Sequence, residues 1–317
     1  MDSKSEFSLA TMEVNVRLDR ITIVGSVNVD QDKLNDKLRE IGWTDSGTDL
    51  AGFSKYELLR PRKNRRPENK AVFLHNDYQQ TWRVDTSNHL SKEEKNMVVQ
   101  ALSFLNGKHL SRIDIAFDFI NGPYAGMKHR LYPKGTTTSY VGNNLFMFGR
   151  GSTLETIYAG KRKSLSQYRY YDKLVEQRGA GAKIDPSIKS WERLELQVRG
   201  KQTKEWLENA KKMLSTFKMP EIEKATKLDE NDQRVPLSFQ EKAILFMLLQ
   251  DPNQWRDIGS NSTKAKYREI IDKNDCYGFN TSYADLAFDE LKLKKKDLSK
   301  EVNSFLNELK AEEDPNG

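Results

Sequence analysis

One cysteine, Cys276, stands in a chain of 317 residues. A lone thiol excludes an internal disulfide and the multi-cysteine zinc sites. No apolar run reaches the roughly 18 residues that a membrane-spanning helix needs. The opening residues, Met1-Asp-Ser-Lys-Ser-Glu6, carry no apolar signal core, so a cytoplasmic protein with no membrane partner is expected. Histidine is sparse and scattered (His75, His89, His109, His129), with no close pair to seed a metal cluster. No serine or cysteine sits in a nucleophile signature and no glycine-rich phosphate loop occurs, which removes the common acyl-transfer and P-loop chemistries.

What is present is charge. Hydrophobic residues make up 37% and charged residues 31%, the pattern of a water-soluble globular protein with a net charge of +6. The length suits one large or two ordinary domains, able to bury roughly three quarters of the unfolded surface. Arg60, Arg62, Lys63, Arg65, Arg66 and Lys70 crowd one short stretch against Glu68 alone. Such a tract suits phosphate contact, with a solvated loop as the plain alternative. Pro61 and Pro67 make it a loop rather than a helix.

Along the chain, residues 1–16 are polar and read as a loose tail. Residues 20–27 are rich in β-branched side chains and predict a strand, with Gly25 as a bulge or end. Leu34, Leu38 and Ile41 recur at helical spacing and Gly42 closes that helix. Strands are expected at 70–75 and 81–85. A capping box at Ser91 and Glu94 opens a helix through Leu105, and a long strand follows at 112–119. Short strands and hairpins are expected at 144–149, 155–159 and 167–171, then a strand at 191–199 and an amphipathic helix from Trp206 to Phe217. Residues 17–218 therefore read as α+β with a largely antiparallel sheet. After a polar stretch the character changes. Ser238 and Glu241 form a second capping box before Ala243-Ile-Leu-Phe-Met-Leu-Leu249, and helices follow at 263–273 and 284–311. The C-terminal third reads as all helix, and the expected division is 17–225 and 226–311, with a short tail at 312–317.

Alternation in a strand puts Asp114, Ala116 and Asp118 on one face and Ile113, Ile115, Phe117 and Phe119 on the other. Two carboxylates so close repel unless a cation or an arginine lies between them, and an oxygen-rich site suits Mg²⁺ or Mn²⁺. An ordinary solvent face is the alternative. In the 191–199 strand, Glu195 stands between Arg193 and Gln197, on the face opposite Leu194, Leu196 and Val198. By itself it reads as a surface ion pair. Beside the 112–119 strand, at the strand spacing of about 4.8 Å, it would share an ion with Asp114.

Tyrosine supplies the remaining reactive group. A free phenol has a pKa of about 10, so a nucleophilic tyrosine needs positive charge or a base nearby. Arg162, Lys163, Arg169 and Lys173 surround Tyr170 and Tyr171. Alternation points the two rings to opposite faces, and the residues alone leave open which one faces a site and whether both merely pack. A tyrosine in a basic setting with two carboxylate-bearing strands is the set needed to break a DNA phosphodiester.

These segments, Ile21-Thr-Ile-Val-Gly25, 112–119, Arg169-Tyr-Tyr-Asp-Lys173, Trp191 through Glu195 and 243–249, fall in an order that resembles the Rep_trans replication initiators of small rolling-circle plasmids. The resemblance covers about residues 17 to 275. It implies a fold related to the His-hydrophobe-His nicking enzymes, with carboxylates in place of the histidines. It implies binding of a double-strand origin with an inverted repeat, and nicking of one strand in a hairpin through a 5′-phosphotyrosine. A 3′-hydroxyl primer, later religation, a host helicase of the superfamily 1 type and a homodimer are implied as well.

The family's Arg-x-Tyr-Asn-Lys motif maps onto Arg169, Tyr171 and Lys173, which selects Tyr171, with Asp172 in place of asparagine. Its acidic strand maps onto Asp114 and Asp118, and the first glutamate of its Val-Glu-Ile-Glu strand onto Glu195, with Gln197 in place of the second. Those carboxylates would hold Mg²⁺ or Mn²⁺. A Gly-x-Arg-x-Ser match at Gly160, Arg162 and Ser164 implies phosphate contacts, and Arg62, Arg65 and Arg66 are further candidates. Duplex binding maps to the helical third, at Lys264, Lys266, Tyr267 and Arg268. Two other readings stay open: a relaxase of a mobile element with the same chemistry, and a non-catalytic DNA-binding regulator whose binding survives loss of Tyr171.

Overall fold

The β-branched run around Ile21 extends further than its composition announces. In the computed structural model, which describes residues 12–27, 30–48, 53–63, 66–76, 81–87, 90–122, 132–133, 145–150, 153–161, 163–215, 217–220, 222, 225–250, 252–274, 277–278 and 283–306, strand β1 spans Glu13–Ser26. Residues 13–16, expected in a loose tail, are the start of that strand.

Along the chain follow α1 (Gln31–Glu40), β2 (Thr44–Thr48), β3 (Ser54–Arg60), β4 (Glu68–Asn76), β5 (Thr81–Ser87), α2 (Lys92–Ser103), β6 (Asn106–Ile120), β7 (Tyr132–Pro133), β8 (Leu145–Arg150), β9 (Thr153–Ala159), β10 (Ser166–Asp172), α3 (Lys173–Gly179) and β11 (Trp191–Arg199). Then come α4 (Trp206–Ser215), β12 (Phe217–Pro220), β13 (Thr226–Leu228), β14 (Arg234–Pro236), α5 (Phe239–Gln250), α6 (Asn261–Asn274), β15 (Tyr277–Gly278) and α7 (Tyr283–Leu306). The fold is α+β, with a large antiparallel sheet and C-terminal helices, as the sequence pattern indicates. Among the described residues from 226 on, the helices α5, α6 and α7 are joined by the β13–β14 hairpin and β15.

Two compact units are each assembled from separated stretches: 17–115, 197–206 and 294–317 in one, and 1–16, 116–196 and 207–293 in the other. In the first, the strands lie in the order β2-β3-β4-β5-β1-β6. The β1–β5 register sets Thr22 opposite Asp85 and Val24 opposite Arg83 on one face, and Ile23 opposite Val84 on the other. The apolar face is buried: Ile21, Ile23, Phe73, Val84, Ile113 and Ile115 are inaccessible to water, as are Leu34 and Leu38 of α1 and Val98 and Leu102 of α2. Each such side chain contributes roughly 1.5–3 kcal/mol by leaving water. Phe73 meets Trp43 and Trp82 edge-on, with centroids 6.4 and 6.1 Å apart. Both capping expectations in this region hold. Ser91 and Glu94 bond reciprocally, and Gly42 takes φ +92 just beyond α1.

In the second unit the strand order is β6-β11-β10-β9-β8. Tyr170 lies opposite Ile157 and Tyr171 opposite Thr156 across β10 and β9. Phe117, Phe119, Leu194 and Leu196 form its buried face, and Tyr283 of α7 stacks on Phe119 with centroids 4.5 Å apart. A separate cluster of Leu237, Leu245, Leu248, Leu249, Trp255, Tyr267, Ile270 and Ile271 holds α5, α6 and the connection between them.

Candidate active site

Strand alternation divides the two tyrosines as the pleat requires. Tyr170 is 1% exposed and donates its hydroxyl to Glu192 Oε2 at 2.6 Å. Burial and the Glu192 carboxylate push its phenol well above the ordinary range. Tyr171, 3% exposed, donates to Glu195 Oε1 at 2.7 Å. Burial is again the larger cause and Glu195 the next in raising its phenol. Both phenols are therefore neutral at pH 7, each with its proton held by a carboxylate.

Arg169 joins the second pair. Its Nη1 lies 3.2 Å from Glu195 Oε2, and its guanidinium carbon is 4.3 Å from the centre of the Tyr171 ring and 5.7 Å from that of Tyr158. Burial opposes the guanidinium's charge, but Glu195 and Tyr171 outweigh it and hold Arg169 above its usual value. Lys173 opens α3, is buried, pairs with Glu176 and sits 5.6 Å from the Tyr171 ring centre. Asp172, where the resemblance expects asparagine, is the N-cap of α3 and accepts from Val175 N. Its charge is turned toward a helix N-terminus rather than toward the phenol.

The other expected carboxylates are also engaged. Asp118 is 1% exposed and accepts from Arg193 Nε at 2.7 Å, Arg193 Nη2 at 2.9 Å and Trp191 Nε1 at 2.7 Å. The expected place of Arg193 is the surface beside Glu195; it is buried, because only there can it neutralise Asp118. Asp114 receives Arg112 side-on, with Nε to Oδ1 at 2.7 Å. Burial raises Asp114 above the usual carboxylate range while Arg112 pulls the other way. Among the described residues, no three of His, Cys, Asp and Glu gather as a group able to hold a metal. Arg112 holds Asp114, Arg193 holds Asp118 and Arg169 holds Glu195, so none of these carboxylates, as it stands, fits a bound Mg²⁺ or Mn²⁺.

Of the expected phosphate contacts, Arg162 and Arg65 lie outside the described residues. The Ser164 hydroxyl is within 2.6 Å of the Lys161 and Ser166 carbonyls and so closes its own turn. Gly160 in that turn has φ +96 and would set a Cβ 2.9 Å from Ser166 O. Arg62 is bonded to Glu68 at 2.6 Å, while Arg66 is exposed. In the helical region, Lys266 bonds Glu241 at 2.6 Å, and Arg268 lies 5.5 Å from the Trp255 ring centre. Tyr267, expected to face DNA, is 3% exposed and belongs to the core, because helical spacing places it with Ile270 and Ile271. Lys227 and Arg234 of the hairpin are not among the expected DNA-binding residues. With Lys266 and Lys273 they line a cavity of about 490 Å³ against α6. Three-residue strands carry too little periodicity to expose them in the sequence.

No protein-family model matches the chain. Over 303 residues it is 22% identical to a protein named Replication initiation protein from Staphylococcus aureus, across 92% of this chain and 85% of that one. A solved structure of a rolling circle replication initiator protein from Geobacillus stearothermophilus covers 75% of this chain and 97% of its own, at 14% identity and a TM-score of 0.34. Among the described residues no helix is long and apolar enough to cross a membrane.

Proposed function

We propose that this chain, a relative of the Rep-type rolling-circle replication initiators, binds a plasmid's double-strand origin and nicks one strand within an extruded hairpin. The observation that carries the reading is the Tyr171 hydroxyl held 2.7 Å from Glu195, with Arg169 across both groups. Tyr171 attacks the scissile phosphate while its proton passes to Glu195. The P–O3′ bond breaks, the 3′ oxygen takes a proton from water, and the 5′ phosphate stays on the tyrosine. Arg169 and Lys173 stabilise the charge that develops on the phenol oxygen and the phosphate. The phosphotyrosine retains the ester, so attack by a 3′ hydroxyl reverses the step and religates the strand.

The Mg²⁺ or Mn²⁺ implied by the resemblance would have to displace Arg112, Arg169 and Arg193 from the carboxylates they hold. Duplex contact falls to α6 and the β13–β14 hairpin, where Lys264, Lys266 and Arg268 are joined by Lys227, Arg234 and Lys273. Recruitment of a superfamily 1 helicase and action as a homodimer complete the proposal.

The test is a covalent adduct. The protein is incubated, with and without Mn²⁺, with an end-labelled oligonucleotide carrying its nick site, and the products are resolved under denaturing conditions. Wild type and Tyr170→Phe should trap the strand, and Tyr171→Phe should not. An adduct that persists in Tyr171→Phe and vanishes in Tyr170→Phe would move the nucleophile to the other ring. Failure of wild type on every candidate origin would leave a binding protein only.

A further inference from the structure

Gln197 and Arg199 follow one another on the polar face of β11, in the same compact unit as Arg20, Asp85, Arg112 and Asp114. Gln197 is 6% exposed, yet its Nε2 is buried and donates to no acceptor among the described residues. The Nε of Arg199 is buried without an acceptor as well. Buried donors are nearly always satisfied, so two on neighbouring same-face positions of one strand call for a common acceptor.

The surroundings specify its charge. Burial, followed by the positive charges of Arg112 and Arg20, pushes the Arg199 guanidinium below its ordinary value. The acids near Arg199 are already committed. Asp114 is held by Arg112 at 2.7 Å, and Asp85 by Arg20 at 3.2 Å and Arg83 at 3.3 Å. Thr22 bonds Asp85 too. The local excess is therefore cationic and its spare hydrogens are donors. A cation is disfavoured here; an anion with several acceptor oxygens is favoured.

We infer that Gln197 and Arg199, with the positive charge of Arg112 acting on Arg199, form a binding site for a phosphodiester group of single-stranded DNA. Two non-bridging oxygens match the guanidinium fork, with the Gln197 amide donating to one of them. The inference rests on the nicking reading, which requires a locally single-stranded target. It also gives Gln197 a role of its own. Where the resemblance places a second glutamate, this chain carries an amide donor that can face a phosphate oxygen directly.

Binding of a labelled oligothymidylate of roughly 12 nucleotides, followed by fluorescence anisotropy over a salt series, tests the site in the full chain. Arg199→Ala should weaken binding by about tenfold and reduce the log–log salt slope by about 0.7, the share of one single-strand phosphate. Gln197→Glu, nearly the same shape, should weaken binding at least as much. Arg199→Lys should keep the slope while losing affinity, which guards against a misfolded alanine variant; thermal midpoints check each protein. Unchanged affinity and slope in both Arg199→Ala and Gln197→Glu would overturn the site. So would inorganic phosphate that raises the wild-type thermal midpoint but not that of Arg199→Ala, with oligonucleotide binding equal in the two. The covalent adduct at Tyr171 is measured separately. Loss of the adduct alone sinks the nicking reading, and unchanged slopes with an intact adduct sink this site alone.

Discussion

Asp118 and Arg193 are both 1% exposed and neutralise each other through two hydrogen bonds. Removing one partner strands the other charge in a low-dielectric interior. Asp118→Asn is expected to cost about 3–5 kcal/mol, read as a lower urea midpoint, whereas replacing both by well-packed apolar residues should cost far less. Asp172→Asn should do almost nothing to stability, since aspartate and asparagine cap helices about equally, and the adduct should persist. A large loss of adduct in that variant would mean that the charge matters to the chemistry. The tyrosines set an alkaline limit. Burial and then the paired carboxylates raise the folded-state values of Tyr170 and Tyr171. Their stabilisation is complete below the unfolded value of about 10 and is lost as pH rises beyond it, because the unfolded chain releases protons that the folded one keeps. The urea midpoint should fall as pH rises from about 9 to about 11, and fall less in a variant with both tyrosines changed to phenylalanine.

At the scale of elements, Glu241 ties three together. Its carboxylate accepts from Ser238 N in the capping box of α5, from Lys227 of the hairpin at 2.9 Å and from Lys266 of α6 at 2.6 Å. Burial works to raise it, but these bonds prevail and hold it far below the usual carboxylate range. The stabilisation it provides is present above the unfolded value of about 4.3 and is lost as pH falls below it. Glu241→Gln should accelerate amide exchange in α5 and α6 at neutral pH and flatten that acid dependence. Gly25 shows the opposite economy of space. A Cβ there would stand 2.8 Å from the Asn106 carbonyl, so Gly25→Ala should destabilise by about 1–3 kcal/mol in a denaturation curve.

For the whole molecule, the proposed division of labour puts strand cleavage at Tyr171 and duplex binding at the hairpin and α6. A Lys227→Ala, Arg234→Ala variant should bind origin duplex less tightly, with the salt slope smaller by about 0.9 for each phosphate left unneutralised. It should still form the adduct on a single-stranded oligonucleotide. Loss of both activities together would mean that the hairpin serves the fold and not the DNA.

Much of this organisation is legible in the sequence because it is local. Apolar alternation locates β6, β10 and β11, and the capping residues locate α2 and α5, since hydrogen bonds within a few residues fix those features. Strand β2, Thr-Asp-Ser-Gly-Thr, is exposed throughout and offers no alternation to read, and only pairing with β3 makes it a strand. Strand β3 is absent from the sequence-based expectations although its alternation, with Tyr56 and Leu58 buried, is visible in the residues themselves. The residues alone give the class of the fold, the reactive side-chain types and the separation of Tyr170 from Tyr171 onto opposite faces. Only the tertiary structure pairs Asp118 with Arg193 and Glu195 with Tyr171 and Arg169, whereas Arg112 meets Asp114 two residues along the same strand. A charge's partner depends on which strands lie side by side and on how much water is excluded between them, and neither quantity is local in the chain.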